Sequence, residues 1–574
     1  MIFLSLLGSL IPLVIFGGII WAIVKAVQSR SDNQPDESDN SLRRFFLYVL
    51  LYGAFVSIIT GLLSLASALF PHGQVIARSA STDVARGLAL VIVGVPVYWM
   101  VFRIIENAFA TDAEEKRRLG WSTYLNAAIG TSLIGAIVTF TQLIASIVGS
   151  DAVRAVTIAD AALWSGAWAI HWFVLISRHG IRTDAHLAIG STIGLAITAT
   201  GFGLIVDAGL DAAYEAMFLD QTAGPGVRDV LDMPVALGAV GLGVWTIYWL
   251  TRYFGEVRST LWHTYVVLAG VLAGLITAVI GGAVVIGTVL QWWFGSPGTD
   301  SASEHFLSIP GALAALLVGG GVWWYHRAVL HAGGTPERTE PMRIHDYAAA
   351  AVGLIAALVG LTTIFVALLE ALTAPTSAAG ARPENTLVLA VTALIVGGPL
   401  WWVMWSRTER LGDAEKTSAS RRTYVVGILG MSAITAAVSL AIVLFVFLED
   451  TLDGILGAAT VYDFRVALAL LVSLGGVAWY HFQIRQRDAA VAPEPKDVAP
   501  GPRNILVVGG DTQLLDELAG RTSARVSHWT RLDEAADSSA VDVDALVERL
   551  AGHVGEQVMV VLDGGQPQVI PYRR

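Results

Sequence analysis

The chain has 574 residues, of which 55% are hydrophobic and 14% charged, and its mean hydropathy is +0.63. A soluble domain carries roughly 25% charged residues, so this composition points to lipid. The lack of cysteine excludes disulfides, thiolate metal sites and a cysteine nucleophile, and a formal charge of −11 offers no basic surface for nucleic acid.

Residues 1–30 form the first element. Ile2 to Val24 is an apolar run long enough to cross about 30 Å of hydrocarbon. It has no basic start, and its cations, Lys25 and Arg30, follow it. The segment therefore reads as an uncleaved transmembrane anchor with the N-terminus outside, not as a signal peptide. Residues 31–41, SDNQPDESDNS, are polar and acidic with Pro35 among them, the composition of a flexible linker.

Twelve further apolar runs fill residues 42–487, so about thirteen spans are expected in all. They fall into six repeated two-helix units at about 42–110, 118–180, 183–255, 260–331, 343–410 and 420–487. The first helix of a unit opens with an aromatic after a polar turn: Tyr48, Tyr124, Tyr265, Tyr347 and Tyr424, with His186 in the third. The second helix ends in glycine, large aromatics and a cation. The fullest version is Gly320-Gly-Val-Trp-Trp-Tyr-His-Arg327. Gly475-Gly-Val-Ala-Trp-Tyr480, Gly397-Gly-Pro-Leu-Trp-Trp402 and Gly94-Val-Pro-Val-Tyr-Trp99 are related, and His171-Trp172 and Tyr248-Trp249 hold the same place in two more units. Arg103, Arg178, Arg252, Arg327, Arg407 and Arg485 follow. Aromatics and then a cation are what a helix shows where it leaves the bilayer. A two-helix unit keeps its orientation when repeated, so the repeat is parallel.

Orientation follows from the cations. The loops between units, with the segments flanking the first and last spans, hold 22 Lys and Arg. The loops inside units hold six: Arg78, Arg86, Arg154, Arg228, Arg382 and Arg465. The positive-inside rule then places the inter-unit loops and the C-terminus in the cytoplasm of a multi-pass plasma-membrane protein.

Residues 488–502 are an Ala/Pro linker. Residues 503–574 have the pattern of a small α/β cytoplasmic domain. Asn504 to Gly510 and Gln557 to Leu562 read as strands, and Asp511 to Leu518 and Val541 to Leu550 as helices. Asp563-Gly564-Gly565 would turn Gln568 to Pro571 back as a hairpin partner. Val507-Val508-Gly509-Gly510-Asp511 lacks the G-x-G-x-x-G continuation of a dinucleotide fingerprint, and no Walker A, G-x-S-x-G or H-E-x-x-H motif occurs.

The candidate chemistry is sparse. No charged residue falls in the middle of a span, and Asp160, Asp232 and Glu370 lie near outer ends, where a solvated interfacial position accounts for them. His171, His326 and His481 sit at matching depth beside the aromatic exits and could in principle ligate heme or a metal. Tyr98 and Tyr248 take similar places in other units, and tyrosine does not replace histidine as such a ligand; the expectation is an interfacial aromatic, with the role of the three histidines left open. Trp323-Trp324, Trp401-Trp402 and Trp405 fit an aromatic belt at headgroup depth. Gly190 and Gly194, and Gly270 and Gly274, have the spacing that lets helix backbones approach closely. Pro96 and Pro399 can kink their helices. No catalytic, cofactor-binding or metal-binding residue is assigned, no cofactor is expected, and the expected partners are the lipid bilayer and other membrane proteins, with no nucleic acid.

The repeated helix pair, opening on Tyr and closing on G-G-x-x-W-[WY] before Arg, resembles an uncharacterised bacterial family of multi-spanning membrane proteins known as a domain of unknown function, with several copies per chain. The resemblance covers about residues 42–486 and implies an integral membrane protein, with no functional residues to carry over. The fold expected is mainly α, a polytopic transmembrane bundle of helix hairpins with a small C-terminal α/β domain. The function expected is a non-enzymatic membrane scaffold or sensor with a cytoplasmic tail domain, and the alternative is a transporter or channel for a neutral or apolar small solute.

Overall fold

Long apolar runs bounded by polar turns dictate long helices, because in lipid every backbone N–H and C=O must bond within its own segment. The computed structural model describes residues 35–70, 80–111, 119–149, 152–177, 184–219, 227–256, 258–332, 338–373, 383–491, 501–509, 512–522, 524–529, 541–554, 557–562 and 567–572. The expected anchor at 1–30 lies outside them. The chain divides into two compact units, Met1–Ile484 and Arg485–Arg574.

Among its described residues the larger unit holds twelve long helices in six hairpins: α1 (Pro35–Leu69) with α2 (Ala80–Thr111), and α3 (Leu119–Val148) with α4 (Ala155–Ala169, running on as a π-helical stretch Ile170–Ile176). α5 (Asp184–Phe218) pairs with α6 (Val227–Trp245, continued by π-helical Thr246–Tyr253). α7 is continuous through Thr260–Thr264, π-helical Tyr265–Leu272 and Ala273–Phe294, and pairs with α8 (Ile309–His331). α9 (Glu340–Thr373) and α10 (Pro383–Glu409), then α11 (Ala419–Leu452) and α12 (Ala458–Val491), complete the set. By length and apolar composition, twelve helices among the described residues can cross a membrane. A helix of 35 residues such as α1 spans about 52 Å, so these helices overrun the hydrocarbon or tilt within it.

Two segment boundaries differ from the sequence expectation. Residues 35–41 belong to the first turns of α1 and not to a linker, since Pro35 suits the start of a helix. α12 runs on to Val491, past the expected end at 487.

Glycine sets how the hairpins close. A Cβ at Gly194 would lie 2.6 Å from the Trp245 backbone N, at Gly201 2.2 Å from Gly238 N, at Gly274 2.7 Å from Trp323 N and at Gly353 2.4 Å from Trp401 N. The two backbones touch at these points, so only hydrogen fits. Each hairpin packs on the next in chain order, and among the described residues the first and last are not packed together. Side chains at the turns add links: Tyr214 OH donates to Ser303 O (2.9 Å), and Ser296 N donates to Asn385 Oδ1 (2.8 Å), which ties the α7–α8 turn to the start of α10.

The smaller unit is a four-stranded sheet of order β2-β1-β3-β4, built from β1 (Asn504–Val508), β2 (Arg525–Trp529), β3 (Gln557–Val561) and β4 (Gln568–Tyr572). β1 is parallel to β2 and β3, and β4 folds back antiparallel with Val561 opposite Gln568. Helices α13 (Thr512–Arg521) and α14 (Val543–Ala551) cover it, closing a core of Ile505, Val507, Leu518, Leu550, Val558 and Val560. β2 was not legible in the sequence. It is an edge strand with mostly exposed side chains, so Arg-Val-Ser-His-Trp shows little apolar patterning.

Candidate functional site

The aromatic exits split by helical phase. Trp99, Trp324, Trp402 and Trp479 are largely exposed on the outer surface of the bundle, while Trp249, Trp405 and Tyr248 are fully buried. Consecutive helical residues point about 100° apart, so in Trp323-Trp324 and Trp401-Trp402 the second member faces outward and the first faces a neighbouring hairpin, whereas both members of His171-Trp172 and Tyr248-Trp249 are buried. Of the tryptophans expected in a headgroup belt, Trp324 and Trp402 face outward, and Trp405 is buried, which corrects its reading as a belt residue. His171, His326 and His481 belong to the inward set, with 3%, 0% and 0% exposure, which corrects their reading as interfacial aromatics.

These histidines lie in a repeated arrangement. In the fourth hairpin His326 Nδ1 bonds the Val322 carbonyl (2.9 Å), and its Nε2 meets the Tyr265 hydroxyl (3.2 Å), which accepts from Trp245 Nε1 (2.8 Å). A carbonyl can only accept, so Nδ1 carries the proton and a neutral ring presents Nε2 as an acceptor. The chain is then polarised in one direction, from Trp245 N–H to Tyr265 O–H to His326. In the second hairpin His171 Nδ1 bonds the Ala167 carbonyl (2.8 Å), and Tyr124 joins His171 Nε2 (3.0 Å) to the Tyr98 hydroxyl (2.9 Å). Trp401, Tyr424 and His481 repeat the set at the sixth hairpin, where His481 Nδ1 bonds the Val477 carbonyl (2.9 Å). Each set takes its first member from the second helix of one hairpin and the rest from the next hairpin. Two of these residues, His171 and Tyr265, sit in π-helical stretches, the local widening that often marks functional or strained positions.

A second family of bonds joins adjacent hairpins at the same depth. Trp168 Nε1 donates to Tyr248 OH (2.8 Å), Trp249 Nε1 to Tyr325 OH (2.9 Å) and Trp405 Nε1 to Tyr480 OH (2.7 Å). A buried indole N–H needs a partner, and the tyrosine one hairpin later supplies it. Gly270 makes room for the His326 ring, because a Cβ there would stand 2.2 Å from Cγ of His326. Tyr265→Phe should leave both Trp245 Nε1 and His326 Nε2 unpaired and cost about 1–2 kcal/mol. Tyr424→Phe, whose hydroxyl makes no such bonds, should lower the melting temperature of the detergent-purified protein by less than half as much; equal shifts would refute the assignment.

Charged groups gather at the same end of the fifth hairpin. Glu415, on a short helical turn Asp413–Lys416, is 3% exposed and accepts from Tyr347 OH (2.8 Å). Arg338 and Arg343 pair with it at 3.2 and 3.1 Å. Arg338 also pairs with Asp346, whose other oxygen meets His345 Nδ1 at 2.8 Å. Arg421 stands where the second and fourth hairpins have Trp121 and Trp262; it bonds Glu409 (2.5 Å) and lies over the Trp405 ring (5.0 Å). At the opposite end Glu370 pairs with Arg465 across α9 and α12 (2.8 Å), so Glu370 is not the lone solvated carboxylate expected of it. Asp232 accepts from its neighbouring Met233 N (2.6 Å).

A cavity of about 300 Å³ opens between the second and third hairpins, with Trp172 and Phe173 in its wall, His186 buried beside them, and Asp184, Arg252 and Glu256 at its rim. Among the described residues no group of three His, Asp or Glu is placed to hold a metal ion.

Residues 61–174 and 343–476 match the family described as a domain of unknown function (DUF5671). The chain resembles that family over two separate stretches. Together they cover less than half of it, and no curated protein and no solved structure matches. Each stretch runs from the first helix of one hairpin to the second helix of the next, so the matched unit is four helices and not the single hairpin expected from the sequence. The histidines carry the same period: His171, His326 and His481 are each 155 residues apart. This places a third copy of the aromatic–Tyr–His set in α6–α8, between the matched stretches. Alternation of Tyr and His at the exits was the available signal, and it looked like interchange until the hydrogen bonds separated donors from acceptors.

Proposed function

We propose that this chain is a non-enzymatic membrane scaffold or sensor, with its α/β unit in the cytoplasm and its N-terminus outside. The observation that carries this reading is that the aromatic–Tyr–His chains of the second and fourth hairpins close on themselves. Each donor is used by a protein acceptor, so these groups hold hairpins in register and offer no reactive atom to a substrate. The excess of Lys and Arg in the loops between hairpins supports the orientation. A second compact unit at the C-terminus is what an anchored signalling or docking module requires.

The test is complementation of a deletion strain. A chain truncated after residue 500 should insert and be extracted from membranes at the full-length level, yet fail to restore wild-type behaviour. Restoration by the truncated chain would overturn the proposal. The second reading, movement of a neutral or apolar small solute, draws on the cavity beside Trp172, and flux of such a solute into proteoliposomes containing the purified protein would favour it.

A further inference from the structure

The third hairpin departs from its counterparts at its opening aromatic. The first and fifth hairpins bury Tyr48 and Tyr347 at the point where the third buries His186. An imidazole is shorter than a phenol and lacks its terminal hydroxyl, so histidine leaves unfilled the space that a tyrosine would take. The cavity of about 300 Å³ opens at this exchange, with His186 edge-on to Trp172 in its wall (5.4 Å between ring centroids). That volume stands at the lower end of the range for small-ligand sites.

The charges around the two places are arranged differently. At the fifth hairpin Tyr347 reaches Glu415, and the neighbouring charges satisfy one another, Glu415 with Arg338 and Arg343, and Asp346 with Arg338. At the third hairpin Asp184, Arg252 and Glu256 all line the cavity. Among the described residues neither Asp184 nor Arg252 enters an ion pair. One cation and two carboxylates thus surround an aromatic recess whose Phe173 is half-exposed on the outer surface. The recess lies at the aromatic exits, which is headgroup depth.

A ligand that matches this set carries a phosphate for the guanidinium, an ammonium for the carboxylates and an apolar part for Trp172 and Phe173. We infer that the cavity holds the headgroup of phosphatidylethanolamine, its phosphate on Arg252 and its ammonium between Asp184 and Glu256. Arginine meets a phosphate through two parallel N–H bonds, and a primary ammonium has three N–H donors for the carboxylates. The quaternary ammonium of phosphatidylcholine has no N–H to donate, and the glycerol head of phosphatidylglycerol brings no cation. This lipid site does not rest on the scaffold reading, and its failure would leave that reading standing.

The test titrates the full chain in detergent with phosphatidylethanolamine, phosphatidylcholine and phosphatidylglycerol of identical acyl chains, and counts bound lipid by native mass spectrometry. Phosphatidylethanolamine should bind about tenfold or more tighter than the other two, the fold-change of one charge-assisted hydrogen bond. Arg252→Ala and Asp184→Asn should each erase that preference. Arg252 is exposed, so its alanine variant keeps the fold, which an unchanged melting temperature in lipid-free detergent checks. His186→Tyr, which gives the third hairpin the residue of its counterparts and fills the recess, should erase the preference as well. Equal affinity for the three lipids, or a preference that survives Arg252→Ala, would overturn the inference. Displacement of the lipid by equimolar glycerophosphoethanolamine, which has the same head and no acyl chains, would also overturn it in favour of a site for a free solute.

Discussion

Gly353→Val is expected to force α9 and α10 apart and to lower stability by about 3 kcal/mol, the upper part of the range for overpacking. A Cβ at Gly353 would lie 2.4 Å from the backbone N of Trp401 and 3.0 Å from the Gly397 carbonyl. Both neighbours are main-chain atoms of a rigid helix, so neither can rotate away. The whole helix must move, and the inward aromatics Trp401 and Trp405, which face Tyr424 and Tyr480, move with it. Gly398, next to Gly397 on the same helix, has nothing within 4 Å of its built Cβ. Gly398→Val should therefore stay within about 0.5 kcal/mol of the wild type, as for substitutions that meet no neighbour. Thermal unfolding of the two variants in the same detergent decides the matter. A similar loss in both would mean that valine itself, and not the backbone contact, is the cause.

Glu415→Ala should be the most damaging change in the charged cluster, at about 3 kcal/mol, the lower part of the range for breaking a buried pair. The lower part applies because Arg338 and Arg343 keep 27% and 18% of their side-chain surface and can turn to water once the carboxylate is gone. Tyr347 cannot turn, and its hydroxyl would lose the acceptor it now reaches at 2.8 Å. Tyr347→Phe removes that one bond and should cost about 1 kcal/mol. Lys416→Ala breaks an exposed pair with Asp413, worth under about 1 kcal/mol. Melting temperatures measured at low and high salt separate these cases. The Glu415→Ala deficit should persist at 1 M NaCl, because a buried pair is screened little. A deficit that vanishes in salt would place Glu415 at the surface.

The three histidines illustrate how far the sequence could be read. Their common depth was evident from their place in the repeated exits, and so was their company of large aromatics. Their direction was not, because two adjacent residues at a helix exit differ in facing by about 100° and either can be the one turned inward. The bonds to Tyr124 and Tyr265 join residues 47 and 61 positions apart, and no local pattern encodes such a pairing. Glu370 carries the same lesson. Its position near a helix end was plain, while its partner Arg465 lies 95 residues away on the third long helix after it. β2 escaped for a different reason: an edge strand is half solvated, so its composition carries little of the apolar signal that revealed β1 and β3.

Sequence alone determined that this chain is built of long apolar helices in pairs, since a continuous apolar run must satisfy its backbone internally and has the helix as its solution. It also determined the small α/β unit, whose buried strands read as unbroken apolar runs. What only the tertiary structure decided is which side chains meet. Close packing at Gly194, Gly274 and Gly353 fixes the register of the third, fourth and fifth hairpins, and register then sets whether a buried indole, hydroxyl or imidazole finds a partner. The physical reason is that a hydrogen bond is directional and short-ranged, so half an ångström of helix offset makes it or loses it, whereas hydrophobic burial, which the sequence does reveal, tolerates such offsets.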